Sequence, residues 1–86
     1  MSRIERIKKI LEKKLKPGYL TIRDNSKEHK GHNMFDGLGE THVGIEISSN
    51  FFNDKTTLYC HKFINSLLKN EFDKGLHSLE IKVIKN

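Results

Sequence analysis

The sequence predicts a two-layer α/β sandwich in which two helices cover one face of a three-stranded mixed sheet. Two long segments carry apolar residues three and four positions apart, which places them on one face of a helix. Three shorter segments alternate apolar and polar residues, as strands with one buried face do. Along the 86 residues the order is helix, strand, strand, helix, strand. Such layers share one core, so we expect a single domain over residues 1–86.

The first helix is expected to follow Ser2 and to stop at Pro17 and Gly18. Ser2 and Glu5 have the spacing of a capping box, in which hydroxyl and carboxylate each accept a backbone N–H. The apolar residues at helical spacing are Ile4, Ile7, Ile10, Leu11 and Leu15. A Pro-Gly pair is a common stop signal.

The remaining elements are three strands and a second helix. We predict strands at Tyr19–Asp24, at residues 41–48 and at residues 76–84, and a second helix around residues 55–72. The apolar stripe of that helix runs through Cys60, Phe63, Ile64 and Leu67. Residues 24–40 form a long polar stretch with neither helical nor strand periodicity. A loop of this length in a small domain often has a function.

The net charge of +5 comes from the N-terminal segment. Residues 1–16 hold seven basic and two acidic side chains, a surplus of five, and the remaining nine of each sign cancel. A basic helix can meet phosphate, anionic lipid or an acidic protein face, although we favour a solvated face. No apolar run approaches the roughly 20 residues that cross a bilayer, and the N-terminus lacks the apolar segment of a secretory signal.

The single cysteine indicates a reducing compartment, so we expect the cytoplasm, or the mitochondrial matrix in a eukaryote. Cys60 and His61 resemble a nucleophile and a base, but neighbouring helical residues point about 100° apart, and Cys60 falls in the apolar stripe. The residue types of a catalytic triad occur at Asp24, Ser26 and His29, but the sequence has no Gly-x-Ser-x-Gly nucleophile elbow. An Asx or Ser turn after the strand explains Asp24 and Ser26 more simply. We therefore expect no enzyme.

The histidines carry most of the functional information. His29 and His32 lie three residues apart in the polar stretch, where two imidazoles could turn toward one ion; solvated surface histidines are the alternative. His42 has the parity opposite to Val43 and should face away from the core in a structural role. His77 has the parity of Leu79 and is expected to be half-buried near the rim of the helix layer.

Taken in order, several phrases of the sequence closely resemble the BolA family over about residues 5–84. The phrases are Asp24-Asn25-Ser26-Lys27-Glu28-His29, Gly31-His32, Gly39-Glu40-Thr41-His42, Ser48-Ser49-Asn50-Phe51, His61-Lys62 and Leu76-His77-Ser78-Leu79-Glu80-Ile81. The resemblance implies an α-β-β-α-β fold related to class II KH domains, which agrees with the element order. Two departures are Cys60-His61-Lys62, where many members have Arg-His-Arg, and Val43, where an aromatic residue is common.

The resemblance also implies a partner and a cofactor. The partner is a monothiol glutaredoxin, and the pair holds a bridging two-iron two-sulfur cluster to which the glutaredoxin contributes its cysteine and a bound glutathione thiolate. On this chain His77 corresponds to the family's C-terminal cluster ligand. His29 is favoured as the second ligand, from the loop between the first two strands, with His32 as the close rival. Histidine can replace thiolate on one iron of such clusters, so the implied function is an adaptor in iron–sulfur cluster assembly or iron homeostasis.

Two alternatives follow in decreasing weight. The first is a DNA-binding transcriptional regulator, a role assigned to some relatives; against it, the chain lacks the Gly-x-x-Gly loop with which KH domains clamp nucleic acid. The second is a stand-alone zinc site built from His29, His32 and one further ligand. Self-association of the free chain is left open.

Overall fold

The structure, a computed structural model, describes residues 2–26 and 41–85. The order of elements is α1 (Arg3–Leu15), β1 (Tyr19–Asp24), β2 (His42–Ser48), a short 3₁₀ helix (Asn50–Phe52), α2 (Thr57–Leu67), α3 (Lys69–Asp73) and β3 (Ser78–Val83). The predicted fold class is therefore confirmed, with β1 matching its predicted bounds. No helix in these two ranges is long and apolar enough to cross a membrane.

Helix α1 begins and ends as its sequence predicts. The Ser2 hydroxyl accepts from the Glu5 backbone N–H at 3.2 Å, while the Glu5 carboxylate accepts from the Ser2 backbone N–H. At the other end Lys16 adopts the left-handed conformation, with φ of 44°, and donates its N–H to the Glu12 carbonyl. Because Pro17 follows directly, the helix cannot continue.

The sheet is mixed, with strand order β1-β2-β3. Strands β1 and β2 are antiparallel, and β2 and β3 are parallel. Ile45 of the central strand lies opposite both Ile22 and Ile81. Its neighbours Val43 and Ile47 are buried with it against the helices, so the core lies between β2 and the helix layer. The buried core residues are Ile7, Leu11, Leu15, Val43, Ile45, Ile47, Phe52, Cys60, Ile64, Leu68 and Leu76.

The prediction of one second helix over residues 55–72 is wrong at Leu68, where α2 stops and the short α3 starts. Two side chains just before this point bond to carbonyls of the preceding turn. The Asn65 amide donates to the His61 carbonyl at 2.8 Å, and the Ser66 hydroxyl donates to the Phe63 carbonyl at 2.6 Å. Both bonds lie in the last turns of α2, and side-chain bonds of this kind compete with the backbone ladder.

Helix α3 carries a buried carboxylate that fastens it to α1. Glu71 is 3% exposed and accepts from the Arg3 guanidinium at 3.0 Å and twice from the Arg6 guanidinium at 2.8 Å. Arg3 also donates to the Lys74 carbonyl at 3.0 Å. Two of the seven basic residues of the N-terminal segment thus serve this internal ion cluster and not an external partner.

Candidate histidine site at one end of the sheet

One end of the sheet gathers the end of β1 and the starts of β2 and β3. The antiparallel and parallel pairings place Asp24 beside Val43, and His42 beside Ser78. Ser26 and Thr41, the described residues on either side of residues 27–40, both lie at this end. Residues from three different parts of the chain therefore meet at this end of the sheet.

His77 lies at this end with an exposed side chain and a fixed backbone. Its N–H donates to the Thr41 carbonyl at 2.8 Å, and the N–H of Ser78 reaches the same carbonyl at 3.2 Å. Because β3 begins only at Ser78, His77 precedes the regular alternation of the strand. The predicted half-buried position, based on the parity of Leu79, is therefore wrong: the imidazole is exposed to solvent.

The rings of His42 and His77 contact each other, although their parity predicts opposite faces of the sheet. Their centroids are 5.7 Å apart and the planes are nearly perpendicular, at 83°. The Nδ1 atom of His42 lies 3.1 Å from the Thr41 hydroxyl. Two imidazoles and a hydroxyl thus form one polar group at the end of the sheet.

Ser26, which follows β1, is hydrogen-bonded to the residues at the start of β2. Its hydroxyl oxygen accepts the N–H of Thr41 at 2.9 Å and the N–H of His42 at 3.2 Å. Its own N–H donates to the Asp24 carboxylate at 2.9 Å, which confirms the predicted Asx turn. Asn25 adds a backbone bond to the His42 carbonyl at 2.7 Å. The buried Ser26 hydroxyl is therefore a clamp that joins Ser26 to Thr41 and His42, the described residues on the two sides of residues 27–40, close to His77.

Replacing Ser26 by Ala is expected to lower the free energy of unfolding by about 1–2 kcal/mol, since two backbone donors lose their acceptor. Chemical denaturation followed by circular dichroism measures the loss. Ser66→Ala is the matched control, because that hydroxyl is exposed and bonds only within its helix. Equal stabilities for the two variants would contradict the clamp.

Gly44 is a positioning residue that the sequence reasoning missed. A Cβ atom there would lie 2.9 Å from the Asn25 amide nitrogen and 3.4 Å from the Arg23 guanidinium. The absence of a side chain lets Asn25 lie directly across β2 at the base of the clamp. A glycine inside a strand often marks such a close approach, and that signal was present in the sequence.

The other predicted site residues are distributed as follows. Cys60 is fully buried in the core, as predicted, and its neighbour His61 lies half-buried on α2. His29 and His32 lie outside the described residues. Within residues 2–26 and 41–85, no cluster of three or more His, Cys, Asp or Glu side chains could hold a metal ion.

The sequence and the fold are similar to those of known proteins. The family model described as BolA-like protein matches residues 11–86. The chain belongs to this family. A relative described as an uncharacterized protein in the cobS 5' region of Sinorhizobium sp is 40% identical over 82 residues, which cover 94% of this chain and 88% of that protein.

A second relative contains the BolA-like unit as one part of a longer protein. SufE-like protein 1 of Arabidopsis thaliana, described as chloroplastic/mitochondrial, is 40% identical over 84 residues; these cover 93% of this chain but 23% of that protein. The solved BolA domain of SufE1 from the same plant superposes with a TM-score of 0.88 at 39% identity, covering 99% of this chain and 93% of that one. The family resemblance drawn from the sequence phrases is confirmed.

Proposed function

We propose that this BolA-like chain is an adaptor that pairs with a monothiol glutaredoxin and contributes imidazole ligands to a two-iron two-sulfur cluster shared between the two proteins. The observation that carries the proposal is the exposed imidazole of His77, a residue whose backbone N–H donates to the Thr41 carbonyl at the end of the sheet. An exposed imidazole with a fixed backbone is suited to a ligand that must be reached by a second protein.

The donor set of the chain fits a shared centre. Iron–sulfur clusters are generally held by four ligands, and histidine replaces cysteine on one iron in some of them. The only thiol of this sequence, at Cys60, is buried in the core and faces no surface. The chain can therefore supply imidazole nitrogen but needs thiolate ligands from a partner, which a glutaredoxin cysteine and glutathione provide.

The clamp at Ser26 supports His29 as the second ligand. An extended chain spans at most about 3.6 Å per residue, so the Cα of His29 stays within roughly 11 Å of that of Ser26. The corresponding limit for His32 is about 22 Å. Ser26 bonds to Thr41, and Thr41 bonds to His77, so this limit is counted from a residue at the same end of the sheet as the exposed imidazole. His32 remains the rival ligand.

When bound, the cluster would supply an electron-accepting iron site whose potential is raised by histidine ligation. The role of this chain's own residues is to bind and orient. Thr41 fixes the backbone of His77, and a hydrogen bond to the second nitrogen of a ligating imidazole usually sets its orientation. His42, whose ring contacts that of His77, limits the positions that the His77 ring can take.

The proposal is tested by anaerobic reconstitution of the two proteins with iron, sulfide and glutathione, read by visible circular dichroism. We expect a spectrum that differs from that of the glutaredoxin alone. His29→Ala is expected to change that spectrum strongly, while His32→Ala leaves it close to wild type. A spectrum that is the same with and without this chain, together with no association of the two proteins, would refute the adaptor function.

A further inference from the structure

A patch of exposed aromatic and aliphatic side chains lies on a different part of the fold. It is formed by Phe51 of the 3₁₀ helix and by Leu58, Tyr59 and Phe63 of α2, and it is called the aromatic patch below. The first three are among the exposed large apolar residues of the described chain. Clustered exposed apolar side chains mark interaction sites more often than scattered ones do.

The aromatic patch is rigid. The ring of Phe63 lies 4.9 Å from that of Phe51 and is stacked on that of Tyr59 at 6.1 Å. Phe51 is fixed because its neighbour Phe52 is buried in the core and because the Ser49 hydroxyl accepts the Phe51 N–H while donating to the Leu15 carbonyl. A preformed surface loses little entropy when it binds.

Positive charge surrounds the patch. The Lys55 ammonium lies 5.4 Å from the centroid of Phe51 and 5.8 Å from that of Tyr59. Lys62 is exposed on α2, three and four residues beyond Tyr59 and Leu58, so it borders the same helix face. Lys85, just after β3, donates to the Lys55 carbonyl. Asp54, paired with Lys55 at 2.9 Å, is the one acidic residue between positions 49 and 63.

We propose that the aromatic patch docks an acidic segment of a partner protein, one that packs an apolar side chain on the rings and places carboxylates beside Lys55 and Lys62. Charge complementarity selects this occupant: a second copy of the chain carries the same net charge of +5 and is repelled. Single-stranded nucleic acid binds by stacking on free ring faces. Here the Tyr59 ring already stacks on Phe63 and has the Lys55 ammonium 5.8 Å from its centroid.

The docking surface is separate from the histidine site. His77 precedes β3, whereas Lys85, which contacts Lys55, follows it. A strand of six residues is about 20 Å long, so the two surfaces lie at opposite ends of β3. A partner on the aromatic patch leaves His77 free, and the inference does not depend on the cluster.

The test uses an acetylated and amidated peptide in which Phe and Leu are flanked on both sides by Asp and Glu, titrated into the ¹⁵N-labelled full chain. Amide shifts are expected at the patch and not at His77. Tyr59→Ser and Lys62→Glu are each expected to weaken binding about tenfold. Tyr19→Ser and Lys9→Glu are matched controls, since Tyr19 is 47% exposed against 43% for Tyr59 and Lys9 is an exposed lysine of α1.

Each other outcome overturns the proposal. A peptide with Lys in place of every acidic residue that binds equally well would remove the charge argument. Equal losses in the Tyr19 and Tyr59 variants would show that the patch is not the site. If a single-stranded oligonucleotide shifts the amide signals of the patch and the acidic peptide does not, the surface binds nucleic acid. If those signals shift with protein concentration in the absence of peptide, the surface mediates self-association.

Discussion

Glu71→Gln is expected to lower the free energy of unfolding by about 3 kcal/mol, the low end of the range for breaking a buried ion pair. The carboxylate is buried between two guanidinium groups, and Gln leaves both positive charges without their counter-charge. Arg6 retains a third of its side-chain exposure, so water screens part of the loss. Urea denaturation measures the difference.

The same cluster makes stability depend on pH in the acid range. The hydrogen bonds and charges of Arg6, and then of Arg3, hold the pKa of the Glu71 carboxyl below its ordinary value, against the opposing effect of burial. A carboxyl with a depressed folded pKa contributes stability that is complete above its unfolded pKa, about 4.3, and is lost as the pH falls through the folded value. The wild-type advantage over Glu71→Gln should therefore shrink below about pH 4.

Asp73→Asn is the matched control for this carboxylate. Asp73 lies on the same short helix and pairs with Lys69 at 3.8 Å, but both side chains are largely exposed. Exposed pairs of this kind contribute little, so the variant should unfold close to wild type at every pH. A Glu71→Gln variant as stable as Asp73→Asn would contradict the account of how α3 is fastened to α1.

His77→Ala is expected to abolish the cluster shared with the glutaredoxin while leaving the fold intact. The imidazole is exposed, and the backbone bond to Thr41 does not need the side chain. Visible circular dichroism of the reconstituted pair reports the cluster, and thermal unfolding reports the fold. His61→Ala is the control, because His61 belongs to α2 and not to the strand ends that carry His42 and His77.

His42→Ala separates ligation from positioning. The ring of His42 contacts that of His77, so its removal should shift the spectrum or the potential of the shared cluster without eliminating it. If the His77→Ala variant keeps the wild-type cluster spectrum, His77 is excluded as a ligand. Loss of the cluster in His61→Ala to the same extent would show that the effect is not specific to the histidine site.

The order of elements and the sheet face could be predicted from the sequence because they follow from local periodicity. The alternation of Val43, Ile45 and Ile47 and the cap at Ser2 are both short-range signals, and both are confirmed. The break at Leu68 was missed because apolar residues continue at helical spacing through Leu68 and Phe72, and such spacing does not mark where a helix is interrupted.

The arrangement of the candidate site was harder to predict because it depends on contacts between distant parts of the chain. Strand parity placed His42 and His77 on opposite faces, yet their rings meet because His77 lies before the regular strand. The burial of Glu71 was also not predicted. Glu71 lies three residues after the buried Leu68, and this helical spacing places its carboxylate on the buried face, where it needs a partner of opposite charge.

We propose above that an imidazole of this chain binds iron in a cluster shared with a monothiol glutaredoxin. The most direct measurement is pulsed electron paramagnetic resonance of the reduced cluster, with ¹⁵N-histidine in this chain and an unlabelled glutaredoxin. We expect a strong ¹⁵N hyperfine coupling from a directly bound imidazole, and no signal of a bridging cluster when His77→Ala replaces the wild-type chain. A bridging cluster that shows no ¹⁵N coupling from this chain would contradict the proposal.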